Sequence, residues 1–311
     1  VKVRNYRPGD EARQGEIYNA AAARLPGFKP ATDDELRRRV QARDFEPATR
    51  LYAEDGSKIV GYATFQSNGR VSYPWTLPGH ESAAEPLFEA VLHAMRERGL
   101  PRAFAAYRGD WAPVAEFFAK HGFPKTREMV NFYQLLTELP TMVNRRSLPV
   151  TKFYPTDLPA LVRLVPGLIR MPEEELEAHF FLNPRIAGDA LYALRRQDGS
   201  LHAVGIIVSD ERYANVTQVD PKAPCFRLGA FGTEGMSAKR INGLFSFVAA
   251  PGKEATPLAL DLLWYATLKL QDSPINAIGA QVPSDVPHLL SFYQKYFRHQ
   301  DSFPIYERSL A

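Results

Sequence analysis

Few side chains in this chain have the spacing of a familiar reactive centre. The seven histidines form no His-Glu-x-x-His motif and no close ligand pair, and the single cysteine, Cys225, excludes both a cysteine-based metal site and an intrachain disulfide. No metal site is expected. No Gly-x-Ser-x-Gly turn and no Gly-x-x-x-x-Gly-Lys loop occurs, which lowers the hydrolase and nucleotide-triphosphatase readings. The remaining candidates are scattered. Glu234, set among Gly229, Gly232 and Gly235, could orient or deprotonate an amine, or be a solvated loop acid. Trp75 and Trp111 could stack on a ligand or pack in a core. Two Pro-Gly loops run into helices, as Pro78-Gly79-His80-Glu81-Ser82-Ala83-Ala84 and as Pro251-Gly252-Lys253-Glu254-Ala255-Thr256-Pro257-Leu258-Ala259. Glu81 and Glu254 sit favourably there, in the first turn of a helix. Tyr293 lies in an amphipathic helix near the end of the chain, where a packed aromatic is one reading.

The elements that carry these residues occur twice. Tyr6-Arg7-Pro8-Gly9-Asp10 matches Phe153-Tyr154-Pro155-Thr156-Asp157, each a strand end followed by a helix N-terminus, with helices expected over Glu11 to Ala23 and Leu158 to Leu168. Leu51-Tyr52-Ala53, Asp55-Gly56-Ser57 and Val60-Gly61 match Leu191-Tyr192-Ala193, Asp198-Gly199-Ser200 and Val204-Gly205, and an Asp-Gly between β-rich runs signals a hairpin. Asn68 to Glu81 matches Asn242 to Glu254, each an Asn-Gly turn, a strand and a Pro-Gly loop before a helix. Those helices bury one face, through Leu87, Val91 and Met95 in the first copy and Leu260, Trp264 and Leu268 in the second. Strands at Phe104 to Tyr107 and Ala277 to Gln281, helices at Ala112 to Phe123 and Val286 to Phe297, and aromatic runs at Met129 to Tyr133 and Phe303 to Tyr306 close each unit. Ordered matches of this kind mark a duplication.

A length of 311 residues suits two domains, and the division falls between 1–140 and 148–311, where Pro140, Asn144 and Pro149 interrupt the periodicity. The second copy alone inserts Asp210 to Arg240. With 45% hydrophobic and 23% charged residues the chain can build packed cores. The net charge of +3 is too small and dispersed for a nucleic-acid partner. No apolar stretch reaches the length of a membrane span and Val1 to Tyr6 holds no signal-peptide core, so a cytoplasmic protein without a membrane partner is expected.

A unit of strand, helix, hairpin, strand, Pro-Gly loop, helix, strand, helix and aromatic strand resembles the acyl-CoA N-acyltransferase (GNAT) domain. The resemblance rests on the PGHE and PGKE segments and on EFFAKHGF and SFYQKYF, and it covers nearly the whole chain twice. It implies an α/β (α+β) fold of two tandem domains, each a mixed twisted sheet flanked by helices. It also implies N-acyl transfer from acetyl-CoA, or another acyl-CoA, to a small-molecule amine. Such a domain binds pantetheine on a splayed strand, here Phe247, Val248 and Ala249 or Trp75 and Thr76. It holds the pyrophosphate where a loop becomes a helix. That implies Lys253, Glu254, Ala255, Thr256, Pro257 and Ala259 in the second copy, and His80, Glu81, Ser82, Ala83 and Ala84 in the first. Both loops depart from the family's Gln/Arg-x-x-Gly-x-Gly/Ala pattern, because a glutamate replaces the basic residue and Pro257 removes a donor. Lys253 restores charge, and His80 does so only when protonated. The family's proton donor to the leaving thiolate corresponds to Tyr293, whereas the first copy has Phe118, which has no proton to give. The second copy is therefore the expected catalytic one. A GNAT-fold protein that binds or regulates without catalysis is the alternative.

Overall fold

The repeated aspartate explains how each copy begins. In the computed structural model Asp10 accepts two bonds from the Arg4 guanidinium, at 2.6 and 3.0 Å, and one from the Arg7 backbone N–H at 2.6 Å. Asp157 does the same with Arg195, at 3.0 and 2.7 Å, and with the Tyr154 N–H at 2.9 Å. The carboxylate ties a strand to the turn that starts the next helix, and a paired, charge-assisted bond of this kind is strong. The structure describes residues 1–28, 30–41, 45–139, 149–169, 173–183, 186–209, 241 and 243–311. The insertion at 210–240, with Cys225, Glu234 and its glycines, lies outside them, as do Asn242 and the boundary segment 140–148.

The compact units are Val1–Thr126 with Ile305–Ala311, and Arg127–Pro304. The first contains β1 (Lys2–Asn5), α1 (Asp10–Ala22), α2 (Asp33–Val40), β2 (Arg50–Asp55), β3 (Lys58–Thr64), β4 (Trp75–Thr76), α3 (Ala84–Glu97), β5 (Arg102–Ala106) and α4 (Ala112–Lys120). Strands β1 to β4 form an antiparallel sheet in chain order. The Asn68-Gly69 segment is a strand only at β4. Before it, single bridges join Phe65 to Val71 and Arg70 to Phe104. Gly69 must be glycine, since its φ is 91° and a Cβ would stand 2.6 Å from the Arg102 carbonyl oxygen.

The second unit holds most of β6 (Lys125–Leu135), then β7 (Thr151–Lys152), α5 (Leu158–Leu164), α6 (Glu173–Phe181), β8 (Leu191–Arg195), β9 (Leu201–Val208), β10 (Gly243–Ala249), α7 (Ala255–Leu270), β11 (Ala277–Pro283), α8 (Pro287–Tyr296) and the start of β12 (Arg298–Ser309). Its strands run β6-β11-β10-β9-β8-β7. Gly205 pairs with Tyr192, and a Cβ there would meet that ring at 2.7 Å. The ring has little freedom to yield, because its hydroxyl donates to the Leu262 carbonyl at 2.9 Å.

Two sequence expectations need correction. The closing strands do not stay with their own repeats. Strand β6 of the first repeat pairs with β11 of the second, from Leu135↔Ala277 to Met129↔Pro283, and Ile305 to Ser309 of the second repeat pair with β5 of the first. The compact units therefore cross the division into 1–140 and 148–311. Copies of one strand offer similar edges to similar neighbours, so repeat homology does not decide the pairing. The buried face of α7 is also different. Leu258, Ala259, Leu262, Leu263, Ala266 and Leu270 are buried, while Leu260 and Trp264 are half-buried and Leu268 is 49% exposed. A helix apolar nearly all round satisfies the i, i+4 pattern on more than one face. Helix α3 buries Leu87, Val91 and Met95 completely, as expected.

Candidate active site

In the second unit two parallel strands separate. Strands β10 and β11 pair at only two positions, Gly243↔Ile278 and Leu244↔Gly279. Beyond them β10 stays with β9 as far as Ala249↔Ala203, and β11 stays with β6 as far as Pro283↔Met129. Each strand is held from its outer side, so the inner edges from Phe245 and Ala280 onward lack a strand partner. An extended polar ligand can use backbone groups left in this way.

Tyr293 on α8 reaches that opening. Its ring lies 5.6 Å from Phe247 and stacks on Phe132 at 5.6 Å. The side chain is 1% exposed, and its hydroxyl lies beside Ser246 and the Phe247 backbone without forming a hydrogen bond. Burial pushes the phenol well above its ordinary value, so it holds its proton at neutral pH. The His288 Nε2 lies 2.9 Å from the Ala249 carbonyl oxygen, engaging one backbone group at the end of β10.

The loop that follows is exposed from Pro251 to Glu254. The Ala255 N–H donates to Gly252 O at 3.2 Å and the Leu258 N–H to Glu254 O at 2.9 Å. The Glu254 carboxylate turns aside to His202 Nε2 at 3.0 Å and is 75% exposed. Lys253 is exposed, Thr256 and Pro257 are half-buried, and Ala255 and Ala259 are buried in the packing of α7.

The matching opening of the first unit is filled by its own side chains. The Val71 N–H donates to Phe104 O and the Phe104 N–H to Gly69 O, both at 2.8 Å. Two residues on, the Tyr73 N–H donates to the Tyr107 hydroxyl at 2.6 Å. Burial raises that phenol to about 12 even though the Tyr73 N–H works the other way. Trp75 and Trp111, 4% and 5% exposed, pack edge to face at 6.1 Å. The Trp111 indole N–H is taken by Pro26 O at 2.8 Å. Thr76, Ala83 and Phe118 are buried as well. In the loop the Gly79 N–H donates to Glu81 Oε1 at 2.9 Å, the His80 N–H to Leu77 O at 2.9 Å and the Ala83 N–H to His80 O at 3.0 Å. The Gly79 N–H holds the Glu81 carboxyl below its usual value. Ser82 is exposed, Ala84 half-buried, and His80 Nδ1 lies 3.6 Å from Asp55.

No family model matches the chain, and neither does any curated protein sequence. Solved structures match along its whole length. A GCN5-related N-acetyltransferase from Sphaerobacter thermophilus is 11% identical with a TM-score of 0.58, over 99% of this chain and 95% of that one. One from Anabaena variabilis is 10% identical with a TM-score of 0.55, over 100% of this chain and 73% of that one. A tandem GNAT protein from the clavulanic acid biosynthesis pathway is 14% identical with a TM-score of 0.54, over 100% of this chain and 98% of that one. The chain has a tandem GNAT fold.

Within this fold the second copy brings Phe247 and Tyr293 together and leads from Ala249 into the Lys253-Glu254 loop. In the first copy the corresponding loop and strand bond to themselves. Sequence reasoning missed Tyr107, Ser246 and His288. Ser246 had a signal, since Asn68-Gly69-Arg70-Val71-Ser72-Tyr73 and Asn242-Gly243-Leu244-Phe245-Ser246-Phe247 align residue by residue and repeat the serine. Nothing in the pattern marks Tyr107 as reaching a backbone N–H. Among the described residues no cluster of His, Cys, Asp or Glu could hold a metal ion, and no helix is long and apolar enough to cross a membrane.

Proposed function

We propose that this tandem GNAT protein is an acyl-CoA-dependent N-acyltransferase, using acetyl-CoA to acylate a small-molecule amine in its second unit. The observation that carries the reading is the separation of β10 from β11 around the unpartnered hydroxyl of Tyr293. The freed backbone of Phe247 to Ala249 suits the pantetheine amides. The loop into α7, with Lys253 and the Thr256 N–H, suits the pyrophosphate, and the His202 contact draws the Glu254 carboxylate aside. In the reaction the amine nitrogen attacks the thioester carbonyl, the C–N bond forms and the C–S bond breaks with its electron pair on sulfur. Tyr293 gives its proton to that thiolate and regains one from the ammonium formed by the attack. The net proton thus passes from amine to thiol, and a phenol kept protonated by burial is suited to the step.

The other reading, a binding or regulatory GNAT fold without chemistry, draws support from the first unit, whose opening is occupied by Tyr107 and whose loop is occupied by Glu81. Calorimetric titration with acetyl-CoA separates the two. One site per chain is expected, together with thiol release when a panel of small amines is added. Absence of binding at millimolar acetyl-CoA would overturn the enzymatic reading and leave the binding one.

A further inference from the structure

The two Pro-Gly loops carry the same glutamate and use it in opposite ways. Pro78-Gly79-His80-Glu81 and Pro251-Gly252-Lys253-Glu254 align residue by residue and share the proline, the glycine and the acid. In the first unit the Glu81 carboxylate folds back over its own loop and accepts the Gly79 N–H at 2.9 Å. In the second the Glu254 carboxylate turns away to His202 Nε2 at 3.0 Å, and the Gly252 N–H donates to nothing among the described residues. A carboxylate on such an N–H takes the place a phosphate oxygen would occupy, because both are anionic acceptors of the same backbone group ahead of a helix. The first loop is closed by its own side chain. The second has the same side chain held off.

His202 reaches the glutamate because β9 is irregular there. Ala203 pairs with Leu194 and with Ala249, and Leu201 pairs with Arg195, so His202 is the extra residue of a bulge. It stands at the level where the chain leaves β10 for the loop, and a bulge re-aims the side chain it carries. The first hairpin also skips a residue, between Gly61↔Ala53 and Ile59↔Glu54, but the residue skipped is Val60, which is buried and cannot hold a carboxylate. The histidine of that unit is on the loop instead. His80 Nδ1 faces Asp55 Oδ2 of the hairpin turn at 3.6 Å, and Glu81 is left to the glycine. Because Glu254 is 75% exposed, its contact with His202 adds little to folding stability. What the contact sets is the position of one carboxylate.

We infer that Glu254 is an internal competitor for the pyrophosphate of the acyl donor, and that His202 is the positioning residue that holds it off the loop. This rests on the reading of the second unit as the acyl-CoA site. A loop that is free only part of the time binds its ligand more weakly by that fraction.

The test uses the full chain, with acetyl-CoA as the probe. Calorimetry should show His202→Leu weakening acetyl-CoA binding by about 3- to 10-fold. His202→Lys, which can still pair with Glu254, should weaken it by less than about twofold. In a Glu254→Ala background, His202→Leu should change the affinity by no more than about twofold. A histidine that served folding alone would weaken binding equally in both backgrounds. Without ligand, the Gly252 amide proton in NMR spectra should move downfield in His202→Leu, as the carboxylate closes on it, and should stay in place when Glu254→Ala is added. Unchanged affinity in His202→Leu, equal weakening in the two backgrounds, or a Gly252 amide that His202→Leu leaves unmoved would overturn the inference. Absence of binding even to wild type at millimolar acetyl-CoA would remove the donor site and its competitor together. Wild-type binding with no dependence on Glu254 would remove the competitor alone.

Discussion

Replacing Tyr293 by phenylalanine separates stability from activity. The ring would keep its packing on Phe132, Phe247 and Phe297, whose centres lie 5.6, 5.6 and 5.1 Å away. What disappears is a hydroxyl that is buried and makes no hydrogen bond. Such a group costs about 1–3 kcal/mol in the folded state. The void left by one oxygen, of about 12 Å³, returns about 0.3 kcal/mol of that as lost packing. The variant should therefore be more stable by about 1 kcal/mol or more, a rise of roughly 2–4 °C in melting temperature for a unit of this size. Burial raises the phenol's pKa, so the wild type keeps its contribution from this group below the unfolded value and loses it as pH rises toward the folded one. The stability gap should thus widen above about pH 10. Turnover should move the other way. Loss of the acid that protonates the thiolate lowers the rate by about 10² to 10⁴. The assays are thermal melting from neutral to alkaline pH and thiol release at saturating acetyl-CoA. A variant that melts lower than wild type, or whose kcat stays within about threefold, would refute the assignment of Tyr293.

Charge at the second loop should tune donor affinity. Lys253→Ala is expected to weaken acetyl-CoA binding by about 3- to 10-fold at low salt and less at high salt, and Glu254→Gln to tighten it by about 2- to 5-fold, both read by calorimetry. Asp157→Asn should destabilise the chain at neutral pH by about 1–3 kcal/mol, because Arg195 loses a paired contact. Burial raises the Asp157 carboxyl, but Arg195 and the Tyr154 N–H outweigh it and hold it below the usual range. Its stabilisation is therefore present above about pH 4 and disappears as pH falls through the lower folded value, so urea melts of variant and wild type should converge in acid.

The features readable from the sequence are those set by neighbours in the chain. Asp55-Gly56 and Asp198-Gly199 turn as hairpins, and Asp10 and Asp157 start their helices in the same way. Leu87, Val91 and Met95 are buried together with Phe88 and Leu92 because Glu85, Glu89, His93 and Glu97 recur on the opposite side and leave one apolar face on α3. On α7 no such contrast exists, and the face chosen is a matter of tertiary packing. The exchange of β6 and β12 was equally invisible. Alternation says that a strand pairs, not which of two similar edges it takes. The site was legible to the same degree. Phe247 and Tyr293 could be placed by their motifs, but the separation of β10 from β11 is a property of three pairings at once.

The duplication supplies its own control for the site. Tyr73 and Phe247 occupy equivalent positions, each one residue after the repeated serine. In both units a tyrosine hydroxyl approaches the backbone there, but from different elements. In the first, Tyr107 follows β5 and closes a 2.6 Å bond with the Tyr73 N–H, while the helix position holds Phe118. In the second, Tyr293 comes from α8, stops beside Phe247 and Ser246, and closes no bond. The first arrangement is satisfied within the unit. The second leaves a buried donor without a hydrogen bond, at the position where the first copy has phenylalanine. In the proposed reaction a leaving sulfur held between the parted strands would complete that hydrogen bond, which is why the loss of this one hydroxyl should be felt in turnover rather than in folding.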